Sequence, residues 1–222
     1  MVALIFFMVN INLTKKQEDY INTIYELQDT FGIAKIIDLV KILKYSPGGI
    51  NDELKRLERK GIIERYRYSG FKLTEKGLEI AKITKRKHRI SESFLYVFLN
   101  VPWEKCHILS NELEHTIEGE LEKYILNKIE NLSVCPHGNS IDLNEGKNEI
   151  KLLDAYENNY YIVKRISYEE FNILLLLKNY GIIPSKKIYI KFKYENGLIV
   201  TTEKGEFPLE GILPYAVKLY EK

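Results

Sequence analysis

Residues 107–115 place four polar side chains of metal-binding types on one face of a predicted helix. These side chains fall at positions i, i+4, i+7 and i+8, which share a face at about 100° per residue. They are His107, Asn111, Glu114 and His115. The opposite face is apolar and is expected to make core contacts. It carries Trp103, Cys106, Leu109 and Leu113.

A second predicted helix repeats this chemistry, with His88 and Glu92 at positions i and i+4. Imidazole together with carboxylate suits a divalent transition metal of intermediate hardness: Mn, Fe, Co, Ni or Zn. The spacing alone fits equally well two amphipathic helices whose polar faces are solvated. Three of the four histidines of the chain lie in these two segments. The two helices are therefore candidates for a metal site.

The charge of the 222-residue chain is unevenly distributed, although the net charge is only +2. Between Gly32 and Ile90, sixteen Lys and Arg residues stand against seven Asp and Glu residues, a net charge of +9, so the rest of the chain carries −7. A basic block favours a polyanion such as nucleic acid, and an acidic block favours a cation. The alternative for the basic block is a Lys-rich solvated surface.

Composition and cysteine usage indicate an ordinary soluble protein. The hydrophobic content of 45% is typical of one, and the length allows one to three domains. Cys106 and Cys135 form neither a disulfide framework nor a zinc ribbon, which suits the reducing cytoplasm. The apolar segment Met1–Met8 is a poor signal peptide and is too short to span a bilayer.

The first half of the chain has the element order of a winged helix-turn-helix. Helices are predicted over Gln17–Asp29, Ala34–Leu43 and Pro47–Arg59. Ser46 is a good N-cap and Pro47 fits the first helical position. A hairpin from Ile62 to Leu73, turning at Ser69-Gly70, then forms the wing.

The rest of the chain divides into a helical part and a β-rich part. A long helix to about Leu99 is followed by helices over Pro102–His115 and Ile117–Ile129, the latter capped by Thr116, and residues 131–148 are predicted to be a linker. Strands are predicted over 160–166, 187–194 and 198–202, with one helix over 168–179. The short strands indicate a small closed barrel of SH3 type. The predicted fold class is α+β, with domains at 11–80, 81–143 and 148–222.

Together these segments resemble the diphtheria-toxin-repressor family of metal-dependent transcriptional repressors over nearly the whole chain from about residue 15. The resemblance rests on four stretches in the right order behind a winged helix. They are Glu18-Asp19-Tyr20-Ile21 with Ile24-Tyr25-Glu26-Leu27, Lys87-His88-Arg89 with Glu92, Leu113-Glu114-His115, and Cys135-Pro136-His137-Gly138-Asn139. The C-terminal part is similar to the SH3-like domain that many members carry.

The resemblance implies two metal positions. One would use His88, Glu92 and His107, and the other would use Asp19, Asn111, Glu114 and His115. Asp19 follows the manganese-type pattern, whereas Asn111 follows neither the iron-type nor the manganese-type pattern, and Asn22 replaces a further carboxylate. A set of nitrogen and oxygen ligands favours Mn²⁺ or Fe²⁺. Glu169 and Glu170 are candidates for ligands from the SH3-like domain, and His137 is assigned to turn structure.

The resemblance also implies a homodimer on a double-stranded DNA operator. Groove-facing positions correspond to Ser46, Pro47, Gly48, Gly49, Asn51 and Asp52, and phosphate contacts to Lys55, Arg56, Arg65 and Arg67. Two glycines and an aspartate are poor base readers, so backbone contacts and DNA shape are expected to matter. A bound cation would tie the DNA-binding heads to the dimer and hold two recognition helices at half-site spacing.

The function predicted from the sequence is a repressor of metal-homeostasis genes that senses Mn²⁺ or Fe²⁺, and not an enzyme. One alternative is a winged-helix regulator whose metal site has decayed, for which Asn111 and Asn22 are the evidence. The other is a di-metal carboxylate enzyme, because Glu112 and His115 form one E-x-x-H motif. Such enzymes need a second E-x-x-H on another helix, which the sequence lacks.

Overall fold

The computed structural model of the chain describes residues 13–129, 132–143, 146 and 148–221. The segment Met1–Met8 and several residues of the predicted linker lie outside these ranges. The chain divides into two compact units, the first ending at Lys85 and the second running from Arg86 to Lys222. The three-domain boundaries inferred from the sequence stay a prediction. No helix in the described ranges combines the length and hydropathy needed to cross a bilayer.

Three helices form the body of the first unit: α1 (Lys15–Phe31), α2 (Ile36–Leu43) and α3 (Pro47–Arg59). Thr14 caps α1 by accepting a hydrogen bond from the Gln17 amide, and Ser46 caps α3 by accepting one from the Gly49 amide. The apolar stripes face inward, so that the most deeply buried side chains include Tyr20, Ile24, Leu39, Ile50, Leu54 and Leu57. The predicted helix-turn-helix is confirmed.

The wing of the first unit consists of β1 (Ile63–Tyr66) and β2 (Gly70–Leu73), paired antiparallel. Gly70 has a φ of 146°, and a Cβ there would lie 2.3 Å from the carbonyl oxygen of Ala34. The turn therefore requires glycine, because the chain passes directly against Ala34. Helix α4 (Glu75–Leu99) follows the wing.

The helical part of the second unit contains α5 (Cys106–Leu113) and α6 (Gly119–Lys128) besides the end of α4. The predicted helix over Pro102–His115 is wrong in its ends, because Trp103–Lys105 and Glu114–Thr116 are single 3₁₀ turns. Thr116 does not cap α6, since its hydroxyl donates to the Leu113 carbonyl at 2.7 Å. The helices enclose a core formed by Ile90, Ile117, Ile125, Ile129 and Ile141.

The β-rich part is an antiparallel sheet in the order β3-β8-β4-β5-β6-β7, and helix α7 (Phe171–Tyr180) joins β4 to β5. The strands are β3 (Glu149–Lys151), β4 (Asn159–Ile166), β5 (Lys187–Tyr194), β6 (Gly197–Thr202), β7 (Gly205–Glu210) and β8 (Val217–Tyr220), with a short helix α8 (Leu213–Ala216) before β8. The SH3-like class is confirmed. The prediction of a closed barrel is wrong, because β3 and β7 form the two edges of the sheet and do not pair with each other in the described residues.

Candidate metal centre and DNA-binding surface

A cluster of buried donors forms where α4 meets α5 in the second unit. Glu92 lies one turn after His88, and its Oε1 is 3.1 Å from His88 Nε2. His107 at the start of α5 brings its Nδ1 to 3.0 Å from the same His88 nitrogen. His88 is 1% exposed and Glu92 is 0% exposed, so both donors are inside the protein. The three residues that the resemblance assigned to one position therefore lie together.

Glu169 adds a carboxylate from the segment between β4 and α7. Its Oε2 lies 2.8 Å from His107 Nδ1, and the ligand atoms of His88, Glu92, His107 and Glu169 all lie within 4.8 Å of one another. Glu170 instead caps α7, because it accepts hydrogen bonds from the amides of Asn172 and Ile173. Of the two candidates from the sequence, the structure brings Glu169 to the cluster.

The loop Cys135–Asn139 supplies two further donors that the sequence analysis did not assign to a metal. His137 Nδ1 lies 3.1 Å from Glu92 Oε1, and Cys135, His137, Glu92 and Glu169 offer ligand atoms within 4.8 Å of one another. The signal that could have found them is the C-x-H spacing in a turn that contains Pro136 and Gly138. His137 is therefore both a turn residue and a candidate ligand.

The same loop is fixed firmly against strand β4. A Cβ on Gly138 would lie 2.3 Å from the Lys164 carbonyl oxygen, so only glycine permits this approach. Asn139 donates to Glu169 Oε1 and accepts a hydrogen bond of 3.1 Å from Arg165, which is itself paired with Glu149 at 2.7 Å. Glu169 is thus oriented by a chain of buried hydrogen bonds that begins in the sheet.

The charges of the cluster shift the pKa values of its members in opposite directions. Burial alone would raise the pKa of Glu92, but His137 and His88 outweigh it and hold this pKa well below its usual value. Burial alone would lower the pKa of His137, but Glu92 and Glu169 outweigh it and raise this pKa. The attraction between the imidazoles and the buried carboxylates thus outweighs the cost of burial, and a bound cation would attract the same carboxylates.

An orphaned oxygen tests whether a metal fits this cluster. Glu92 Oε2 is buried and has no hydrogen-bond partner among the described residues. A buried carboxylate oxygen without a partner is costly unless a cation binds it. Imidazole nitrogens and carboxylate oxygens are ligands that divalent transition metals accept. The residues present therefore fit a divalent transition metal.

Glu114 and His115 lie at the end of α5, beside this cluster. Glu114 is buried, and its Oε2 is hydrogen-bonded to His88 Nδ1. A carboxylate on the second nitrogen of a ligating imidazole fixes its tautomer and orientation. Glu114 Oε1 lies 3.9 Å from His115 Nε2, whereas Asn111 is exposed. The face predicted for His107, Asn111, Glu114 and His115 stays a prediction, and Leu109 on the predicted core side is 38% exposed.

Asp19 and Asn22 belong to the first unit, on α1. Asn22 is buried, and its Oδ1 accepts a hydrogen bond of 2.6 Å from the Thr84 hydroxyl. An amide at this position therefore serves the packing of α1 against α4 within the first unit. The ligand roles predicted for Asp19, Asn111, Glu114 and His115 stay a prediction.

The candidate DNA-binding surface combines the start of α3 with the wing. Ser46, Pro47, Gly48 and Asp52 are exposed, and Gly49 and Asn51 are half-buried. Lys55, Arg56, Arg65 and Arg67 are exposed. The Arg65 guanidinium lies 4.5 Å from the centre of the Phe71 ring. Lys55, Arg56 and Arg65 also form ion pairs with Asp52, Glu53 and Glu58. The roles of these cations as phosphate contacts stay a prediction.

Helix α3 is held to α1 by a buried polar network. Gln17 donates to Glu53 at 2.7 Å and accepts from Lys60 at 2.8 Å. The N-terminal end of α3 lies outside this network, and Ser46, Pro47 and Gly48 there are exposed. An exposed helix N-terminus suits phosphate oxygens.

A winged helix-turn-helix unit and a buried cluster of divalent-metal donors in one chain define the class of metal-dependent DNA-binding regulators. Residues 12–71 match the N-terminal DNA-binding domain of iron-dependent repressors. Residues 74–143 match their metal-binding and dimerisation domain. The chain belongs to the iron-dependent repressor family, which includes the diphtheria toxin repressors.

Named relatives extend this similarity over nearly the whole chain. The iron-dependent repressor IdeR of Mycobacterium tuberculosis is 24% identical over 224 residues, covering 93% of this chain and 97% of the relative. The diphtheria toxin repressor of Corynebacterium jeikeium is 25% identical over 209 residues, covering 93% and 85%. The crystal structure of T. acidophilum IdeR has a TM-score of 0.86 at 25% identity, covering 96% of this chain and 100% of that one.

Proposed function

We propose that this protein is a metal-dependent transcriptional repressor that binds Mn²⁺ or Fe²⁺ and, as a homodimer, a double-stranded DNA operator of metal-homeostasis genes. The observation that carries the proposal is the buried cluster of His88, Glu92, His107 and Glu169 in a chain that also contains a winged helix. The two free, buried cysteines suit the reducing cytoplasm as its place of action.

The residues of the cluster bind the cation and couple it to neighbouring elements. His88, Glu92 and His107 join α4 to α5, and Glu169 joins both helices to the β-rich part of the same unit. The cation, when bound, supplies positive charge beside the buried carboxylates Glu92 and Glu169. Coupling between an effector site and a second site is typically about 1–3 kcal/mol, or roughly 5- to 150-fold in DNA affinity.

The direct test is DNA binding to the promoter of the protein's own gene, measured by gel shift with and without each of Mn²⁺, Fe²⁺, Co²⁺ and Zn²⁺. We expect Mn²⁺ or Fe²⁺ to increase the affinity at constant ionic strength, because phosphate contacts depend strongly on salt. DNA affinity that is equal with every metal and with chelator would contradict metal sensing. Metal binding without any DNA affinity would favour a metalloenzyme instead.

A second metal position is proposed at Glu114 and His115, completed by Asp19 and Asn111 as the family resemblance implies. We predict that His115→Ala abolishes metal-stimulated DNA binding and leaves the fold intact, because a site with few ligands cannot lose an imidazole. The measurement is fluorescence anisotropy of labelled operator titrated with protein at saturating Mn²⁺. Thr116→Ala, at the exposed neighbouring position, is the matched control. Unchanged stimulation in the His115 variant would remove this residue from the site.

The homodimer is proposed to form through apolar side chains that the single chain leaves exposed on α4, α5 and α6. Leu99 is 57% exposed, Ile108 is 52% exposed and Tyr124 is 70% exposed. We predict that the double variant Leu99→Glu, Ile108→Glu is monomeric at micromolar concentration, because a buried unpaired carboxylate opposes association. Sedimentation velocity measures the result, and Ile37→Glu, on an exposed residue of the first unit, is the control. A monomeric wild-type chain with and without metal would contradict the dimer.

A further inference from the structure

We propose that a cleft on the outer face of the β-sheet binds a nucleoside monophosphate whose base carries an amino group, such as AMP. The cleft has a volume of about 210 Å³ and lies wholly within the second unit. It is lined by Tyr160, Tyr161 and Ile162 of β4, Lys187 of β5, Tyr220 of β8, and Glu221. None of these six residues is a candidate metal ligand, so the inference goes beyond metal sensing and does not depend on it.

The cleft crosses β4, because β5 and β8 flank this strand on opposite sides. Successive side chains of a strand point to opposite faces of the sheet. Val163 is buried on the inner face, whereas Tyr160 is 55% exposed and Ile162 is 38% exposed on the outer face. Lys187 is directly opposite Ile162 in the register of β4 and β5. The floor of the cleft is therefore apolar, with a cation on the β5 side.

Two tyrosine rings form the walls of the cleft. Tyr160 is paired across the strands with Tyr189, and their ring centres are 4.9 Å apart. The Tyr189 hydroxyl donates to Asn158 Oδ1 at 3.1 Å, which fixes this pair of rings. Tyr220 is 46% exposed on the β8 side. Tyrosine rings that face solvent are platforms for nucleobases, because every base has a π-face that can stack on them.

Lys187 supplies the charge that a phosphate needs. Its Nζ lies 4.0 Å from the centre of the Tyr160 ring, and it forms no ion pair with a carboxylate in the part of the chain that the structure describes. The next outward lysine of β5 differs, because Lys191 is paired with Glu206 at 2.7 Å. An ammonium group without a carboxylate partner is available to a phosphate, and the adjacent ring is available to the base of the same ligand.

Glu221 places a carboxylate on the opposite side of the cleft. Its backbone amide donates to the Asn148 carbonyl at 3.1 Å, and the residue is exposed. An ionised carboxylate only accepts hydrogen bonds, so it favours a base with an exocyclic amine. Lys187 and Glu221 stand on the two neighbours of β4, roughly 10 Å apart across two strand spacings. The ligand therefore carries an amine at one end and an anion at the other, as nucleotides of adenine, cytosine and guanine do.

The size of the cleft favours a single nucleotide over a strand. Ligand pockets are typically about 300–1,000 Å³, so a cleft of about 210 Å³ holds one base and leaves the sugar and phosphate at its rim. Proteins that bind single strands stack successive bases along a basic groove. Here the carboxylate of Glu221 repels a following phosphate, so that the groove does not continue past β8.

The test is calorimetric titration of the full-length protein with AMP in the presence of a chelator, so that no metal ion binds the phosphate. We expect saturable binding that is tighter for AMP than for adenosine or inorganic phosphate. Tyr220→Ala should weaken AMP binding by about tenfold, because one stacking ring is lost. Lys187→Gln should lower the affinity for AMP to that for adenosine. Glu221→Ala should remove the preference for AMP over UMP.

Tyr215→Ala and Lys191→Gln are the matched controls, because both residues are exposed and neither lines the cleft. Both should bind AMP like the wild type. The site would be overturned by a lack of saturable AMP binding, by equal AMP affinities of the wild type and the cleft variants, or by inorganic phosphate binding as tightly as AMP. An oligodeoxyadenylate that binds more tightly than AMP through the same residues would overturn the choice of a free nucleotide. The comparison of AMP, adenosine and phosphate needs no variant, so a misfolded variant does not affect it.

Discussion

Glu92→Gln is expected to weaken Mn²⁺ binding by about 100-fold or more and to abolish metal-stimulated DNA binding. Glu92 is 0% exposed and lies within hydrogen-bonding distance of His88 and His137. The amide keeps the shape but removes the negative charge from both donor sets. Removing one partner of a buried charged pair costs about 3–5 kcal/mol, and each 1.4 kcal/mol is tenfold in affinity. Calorimetric titration with Mn²⁺ measures the change.

The matched control is Glu112→Gln, which removes a carboxylate from an exposed position of α5. We expect its Mn²⁺ affinity to stay within about threefold of the wild type, because an exposed charge is screened by solvent. Circular dichroism confirms that both variants are folded. Equal Mn²⁺ affinities of the Glu92 variant and the wild type would show that the cluster does not bind the ion.

Glu149→Gln is expected to destabilise the second unit by about 3 kcal/mol, the lower end of the range for breaking a buried charged pair. Arg165 is 2% exposed, and its guanidinium is held by Glu149 at 2.7 and 3.0 Å. The amide removes the negative charge that faces this buried guanidinium. Urea unfolding measures the loss. Glu206→Gln, whose pair with Lys191 is exposed, should change the free energy of unfolding by less than about 1 kcal/mol.

The same pair predicts how stability depends on pH. Burial alone would raise the pKa of Glu149, but Arg165 and Lys164 outweigh it and lower this pKa to about 2 from its ordinary value of 4.5. A group with a lowered folded-state pKa contributes stability above its ordinary pKa and loses it as the pH falls toward the folded value. Between pH 4.5 and about 2, the wild type should therefore lose more stability than the Glu149 variant. Parallel stability curves over this range would contradict the assignment.

Disruption of the Glu149–Arg165 pair should also weaken metal binding at the cluster. Arg165 donates to Asn139, and Asn139 donates to Glu169, so the sheet orients a candidate ligand. Groups that orient ligands typically contribute 10- to 100-fold to metal affinity. If Glu149→Gln lowers both the stability and the metal affinity, the sheet orients the ligands of the cluster.

The sequence by itself determined the elements whose cause is local. Ser46 and Pro47 set the start of α3, and its bounds are those predicted, because capping depends on neighbouring residues alone. The i, i+4 spacing placed His88 and Glu92 on one face of α4, since helical geometry requires it. The winged helix and the SH3-like class followed from the same local signals in the right order.

The tertiary structure alone decided which distant segments meet. His137 and Glu169 join Glu92 because the Cys135–Asn139 loop is fixed against β4, and these segments are far apart in the chain. The sequence likewise did not determine that the sheet is open. Closure depends on whether the two edge strands, which are far apart in the chain, pair with each other. Local patterns determine helices, caps and turns, whereas a buried site assembled from four segments exists only once packing has excluded water and brought their charges together.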